Sequence, residues 1–197
     1  VNRLKFLSSK FAIDVCAFAI MSNHSHVVLR VDVDRVKTWS DHEVAERWSR
    51  LYGLPNPVAA WFNGEELSDA EMAIVKEKFA IWRSRLSDIS WYMKSLNEYI
   101  ARKANMEDQC TGHFWEARFK SQALLSTTAL LTCMCYVDLN PIRSGMARQP
   151  ELSDFTSIKE RLEEWAEYKR IADDVAAPPP LPSWLASVPQ PGSWPED

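Results

Sequence analysis

The sequence predicts an α+β fold in which one β-hairpin is followed by a largely helical chain. Three observations carry that expectation. Two short apolar runs, 14–21 and 24–32, are separated only by Ser22-Asn23, a pair suited to a tight turn. Farther on, Ile89, Tyr92, Met93, Leu96, Tyr99 and Ile100 recur at the three- and four-residue spacing of a helix face. Between these stretches, Ser40-Asp41-His42-Glu43 and Ser68-Asp69-Ala70-Glu71 have the form of capping boxes, in which the serine and glutamate satisfy the free amides of a helix start.

Taken in order, 2–12 reads as a short amphipathic helix with Leu4, Leu7 and Phe11 on one face. The hairpin of 14–21 and 24–32 follows. Residues 33–86 read as a polar, mostly helical insertion, interrupted by Leu54-Pro55-Asn56-Pro57 and Asn63-Gly64. A helix is expected over 88–104 with Ser87 as its cap, then a loop over 105–112, then a strand-like stretch over 121–125. Ser126 should cap a helix that Pro141 ends or kinks near Asn140, because the residue before a proline is pushed out of the helical region. A charged helix is expected over 157–173. The remainder, with seven prolines, reads as an extended, poorly ordered tail. The corresponding division is a catalytic domain over 1–160, carrying the 33–86 insertion, and a charged helix with a Pro-rich tail over 161–197.

Composition narrows the class. The N-terminal residues lack the apolar core of a signal peptide, and no run of about 18 apolar residues exists, so a cytoplasmic bacterial protein without a membrane partner is expected. With no initiator Met, the sequence reads as a fragment. The net charge is −4, but Trp82 to Arg148 holds nine Lys/Arg against six Asp/Glu, which leaves a locally basic centre between acidic flanks. Cys16, Cys110, Cys133 and Cys135 lack the paired spacing of a structural zinc site and read as reduced, mostly buried thiols.

Two motifs carry chemistry. In His24-Ser25-His26 the imidazoles are two apart on a strand and so share a face, a ready pair of metal ligands. In Tyr136-Val137-Asp138-Leu139-Asn140-Pro141 the phenol and the carboxamide are four apart and share a helix face. Read alone, the first is more readily a chance pair, and the second a buried tyrosine with a helix-ending asparagine.

Three segments in order resemble one family. Met21-Ser22-Asn23-His24-Ser25-His26-Val27-Val28-Leu29 is similar to the signature that gives HUH nucleases their name. The stretch Gly112-His113-Phe114-Trp115-Glu116-Ala117-Arg118-Phe119-Lys120-Ser121 resembles the family's second conserved segment. Tyr136-Val137-Asp138-Leu139-Asn140-Pro141-Ile142-Arg143-Ser144-Gly145 resembles its tyrosine motif. The chain is thereby identified as similar to the REP-associated tyrosine transposases, single-tyrosine HUH transposases related to those of insertion sequences. The resemblance covers about 10–160. It implies a ferredoxin-like antiparallel sheet with helices on one face, Mg²⁺ or Mn²⁺ on His24, His26 and Asn140, and Tyr136 as the nucleophile. The expected partner is single-stranded DNA bearing hairpins, cut and rejoined through a 5′-phosphotyrosine. Arg102, Lys103, Arg118, Lys120 and Arg143 are then candidates for phosphate contacts, and Trp115 or Phe119 for stacking on an extruded base. A homo-oligomer is compatible with the sequence.

The sequence departs from the family pattern at Ser22 and Ser25. It also starts at the helix, so the first strand of the pattern has no counterpart and the sheet is expected to lack one member. Three other readings share the residues: a DNA-binding regulator that does not cleave, an RNA-binding module, and a hydrolase using the histidine pair to activate water.

Overall fold

The computed structural model describes residues 1–171 and 184–188. It is an α+β protein with a two-stranded antiparallel sheet and, among the described residues, eight α-helices and one short 3₁₀ turn. The chain divides into two compact units. One comprises Val1, Asp14–Arg30 and Lys120–Asp197; the other comprises Asn2–Ile13 and Val31–Phe119.

The first unit is built on the hairpin. Strands β1 (Ile13–Ile20) and β2 (Ser25–Val31) are joined at Ser22-Asn23, and the Met21 N–H donates to the His24 carbonyl at 2.8 Å to close the turn. Asp14 and Arg30 pair across the strands. A lone hairpin is marginal in water, and here α7 (Thr127–Arg143) covers it: Leu130, Met134 and Val137 pack in one buried cluster with Ala17, Ala19, Met21 and Val28. The three α7 residues recur at four and three positions, so a single stripe of the helix faces the sheet.

Pro141 does not end α7. The helix runs on to Arg143 and stops two residues before Gly145. There the Gly145 N–H donates to the Ile142 carbonyl at 3.0 Å, and the Met146 N–H to the Pro141 carbonyl at 2.8 Å. This is the glycine-terminated cap in which φ must be positive, and Gly145 has φ 75°. These two bonds mark where the helix ends, two residues past the proline.

The C-terminal helix α8 (Ser157–Ile171) is tied to both α7 and β1. The buried Asp138 carboxylate accepts from the Ser157 hydroxyl and, at 2.9 Å, from the Ile158 amide, so a side chain of one helix caps the start of another. Ser157 Oγ also accepts from the Phe18 amide at 2.8 Å. Arg161 donates to the Cys16 carbonyl at 2.7 Å, 3.9 Å from Asp138.

Two sequence expectations fail in this unit. Residues 121–125 join no strand, and Leu125 is 88% exposed; Ser-Gln-Ala-Leu-Leu has no β-branched or aromatic residue to favour a pleated edge. The poorly ordered tail falls mostly outside the described residues, but Trp184–Val188 does not behave as one. Leu185 bridges Val15, the Ala186 N–H donates to the Val15 carbonyl at 2.8 Å, and both side chains are buried.

The second unit is helical. In it, α1 (Asn2–Ser8) packs on α6 (Ile89–Glu107), and α2 (Arg35–Thr38), α3 (Asp41–Tyr52) and α4 (Val58–Phe62) gather around α5 (Asp69–Leu86). Helix α1 ends earlier than the expected 12, with Phe11 still buried, 5.3 Å edge-on to Tyr92. Both capping boxes form as read, with Glu43 and Glu71 closing back on Ser40 and Ser68. The cap of α6 is Asp88 rather than Ser87: Asp88 accepts from the Trp91 amide at 2.9 Å, whereas the Ser87 hydroxyl turns back to Arg83 and Ser84 carbonyls. The centre of the unit is aromatic, with Trp48 and Trp82 stacked at 5.0 Å and Trp91 and Tyr52 against them.

Candidate active site

The residues that sequence reading singles out for chemistry meet in the first unit. His26 and Val28 alternate onto the face of β2 that α7 covers, and His24 precedes them in the same register. The two imidazoles lie 4.9 Å apart, nearly perpendicular, and the Tyr136 ring of α7 stands 6.0 Å from His26. Tyr136 lies between the buried Met134 and Val137 in sequence but faces outward and is 46% exposed. The Arg143 guanidinium, two turns on, lies 5.1 Å from the Tyr136 ring centroid. Asn140 sits one turn beyond Tyr136, half-buried, with no side-chain hydrogen bond among the described residues.

The local chemistry orients this group. His24 Nδ1 lies 2.7 Å from the Asn23 carboxamide oxygen. That oxygen can only accept, so the contact favours the tautomer with the proton on Nδ1 and Nε2 free to ligate. Partial burial, and then the neighbouring His24, hold the His26 imidazole below its ordinary pKa, which favours the neutral form that binds a cation. Among the described residues no cluster of three or more His, Cys, Asp and Glu stands together as a metal site. The oxygen donor that the sequence reading adds to the histidine pair, Asn140, lies on the same helix as Tyr136.

Comparison with family models, curated proteins and solved structures finds no match for the chain. The assignment of the site accordingly stands on its geometry.

The remaining sequence-predicted residues divide between the units. Exposed Lys120 belongs with the histidine unit, as does Arg143. Arg102, Lys103, Trp115, Arg118 and Phe119 belong to the helical unit. There Trp115 is held in place, its indole N–H donating to the Asn97 carbonyl at 2.9 Å, while Phe119 and Arg118 are exposed. Arg102 and Lys103 sit together on α6, paired with Glu98 and Glu107.

Three contributors escape a reading of the sequence. Asn23 orients His24, and its position directly before the pair in a tight turn is the available signal. Asp138 and Ser157 hold α7 and α8 together from 19 positions apart, a separation at which no spacing rule operates. The four cysteines are not mostly buried either: Cys16 is buried, Cys133 half-buried, and Cys110 and Cys135 exposed. Burial pushes the Cys16 thiol up to about 11, which keeps it unreactive.

Proposed function

We propose that the chain is a single-tyrosine HUH transposase of the REP-associated kind, cytoplasmic and with a ferredoxin-like fold, which cuts and rejoins single-stranded DNA through a phosphotyrosine at Tyr136. The observation that carries this reading is the meeting of an exposed phenol with the paired imidazoles of His24 and His26, 6.0 Å from the His26 ring. The antiparallel hairpin with a helix over its histidine face supports the ferredoxin-like part. Among the described residues no helix is long and apolar enough to cross a membrane.

His24, His26 and Asn140 would hold Mg²⁺ or Mn²⁺, which when bound supplies charge to polarise the scissile phosphodiester. The protein's own residues do the rest. Tyr136 Oη attacks phosphorus as its proton passes to solvent; the bond to the 3′ oxygen breaks, and that oxygen takes up a proton. One phosphodiester is exchanged for another, so the reverse attack by a 3′-hydroxyl rejoins a strand without ATP. Arg143, placed beside the ring, is suited to hold the phosphate against the phenol. Asn23 keeps His24 in the tautomer that can ligate.

Hairpin-bearing single strands incubated with the protein and Mn²⁺ should yield a covalent adduct that survives denaturing electrophoresis. Tyr136→Phe should abolish adduct and cleavage while leaving binding within about twofold, because only the hydroxyl is lost. Strand cleavage persisting in that variant would sink the proposal in favour of a water-activating hydrolase. Binding without cleavage in either protein would favour the regulator.

A further inference from the structure

The helical unit contains a cleft that the proposed strand cleavage does not use. Arg3 of α1, Tyr52 at the end of α3, and Ser95, Tyr99, Arg102 and Lys103 of α6 line a cavity of about 650 Å³. The α6 residues recur at helical spacing, so one face of that helix forms its floor. The sequence reads Tyr99 as part of the apolar face, yet it is 45% exposed at this cleft.

Arg3 is the unusual member. Its guanidinium lies 4.7 Å from the Tyr99 ring centroid and 4.8 Å from that of Phe6, and Nη2 reaches the Ser95 carbonyl only at 3.3 Å. Nε is buried without a hydrogen-bond partner, and Glu98 attracts the guanidinium without forming an ion pair with it among the described residues. The half-buried guanidinium has lost part of its hydration, which lowers its pKa and which an anion would offset. Arg102 and Lys103 add two more cations against one lining carboxylate, Glu98. Their ion pairs with Glu98 and Glu107 are exposed and weak, so exchange for a stronger anion costs little.

We propose that this cleft binds a nucleotide unit, its phosphate held by Arg3, Arg102 and Lys103 and its base laid on the exposed side of Tyr99. Three cations beside an accessible ring match a ligand that joins a phosphate to an aromatic plane. The source is either a free nucleotide or a nucleotide within a single strand. The site does not rest on strand cleavage at Tyr136.

The test uses Tyr136→Phe protein without divalent cation, so neither covalent capture nor metal contributes. A fluorescent oligothymidylate of about ten nucleotides is titrated by polarisation, with thymidine monophosphate and inorganic phosphate as competitors. Arg3→Gln should weaken binding about tenfold. The exposed pair Arg102→Gln with Lys103→Gln should do the same and flatten the salt dependence, without threatening the fold. Tyr99→Leu should weaken it at least about fivefold through lost stacking. Glu98→Gln should tighten it, an effect a merely structural role would not produce. Competition by the monophosphate at concentrations similar to the strand's identifies the free nucleotide as the ligand; competition only at far higher concentrations identifies the strand. Affinity within twofold of the parent in both cation variants, or phosphate competing as well as the monophosphate, overturns the proposal.

Discussion

At the scale of single residues, the candidate site depends on side chains that orient others. Asn23 makes no chemistry of its own but fixes which His24 nitrogen is free. Asn23→Ala should therefore loosen Mn²⁺ about tenfold or more by calorimetry, the usual consequence of removing an outer-shell partner. His24→Ala with His26→Ala should abolish Mn²⁺ binding outright while circular dichroism stays unchanged, since neither ring is in the core. An undiminished Mn²⁺ affinity in the double variant would mean that the cation sits elsewhere. Asp138 raises a different issue. Burial, outweighing the pull of Ser157 and Arg161, holds its carboxyl above the ordinary range, and burial likewise lowers Arg161. The folded protein thus keeps the Asp138 proton to higher pH than the unfolded chain does. Stability from this group falls as pH rises from the ordinary carboxylate value through the raised one. Asp138→Asn removes that dependence while retaining an oxygen for Ser157 and Ile158. In urea titrations across the window, wild-type stability relative to the Asn variant should decline with rising pH; an increase would mean that Ser157 and Arg161 outweigh burial.

At the scale of elements, what was legible was local. Both capping boxes are four-residue signals, and both form; Ser68→Ala should cost about 1 kcal/mol in thermal or urea unfolding. The hairpin was legible from alternation and its turn, and the pairing of Tyr136 with Asn140 on one helix face from spacing alone. The misreadings came from sites where distant or downstream groups decide. Ser87 and Asp88 are both competent caps, and only tertiary packing chooses Asp88. Pro141 is a stop signal, but Gly145 supplies a better one four residues later. Gly145→Ala should therefore destabilise α7's end by about 1 kcal/mol, because φ of 75° strains any side chain. A substitution without effect on the unfolding midpoint would show that the glycine cap is dispensable. The expected strand over 121–125 had apolar residues but no pairing partner, and a strand is defined by its partner. Tyr99 fitted the periodic face of α6, but periodicity cannot say where a helix face runs out of neighbours.

At the scale of the whole molecule, charge bears on which form of DNA the proposed activity would favour. The net charge is −4, and the basic stretch from Trp82 to Arg148 carries only a small excess. A broad duplex footprint needs many phosphate contacts. The expected outcome is cutting of single strands beside a hairpin and little cutting of matched duplex; equal rates on both would contradict it. Association should weaken with salt along a shallow slope of roughly −2 to −3 in log–log form, the value for three or four contacts on single strands.

The seating of Leu185 against Val15 has a consequence for solubility. Beyond its partner β2, β1 presents an outer row of amides and carbonyls, and the bridges from Leu185 and Thr156 occupy part of it. Left bare, such a row is a template on which a second chain can add a strand. Residues 184–188 thus cover part of that row, and the covering segment comes from the part of the sequence that composition alone would discard as a tail. Truncation after Leu181 should make the protein scatter more light on standing than the full chain does, and a synthetic peptide spanning 184–188 should delay it. A truncated protein that remains monodisperse would show that Thr156 alone suffices to shield the edge.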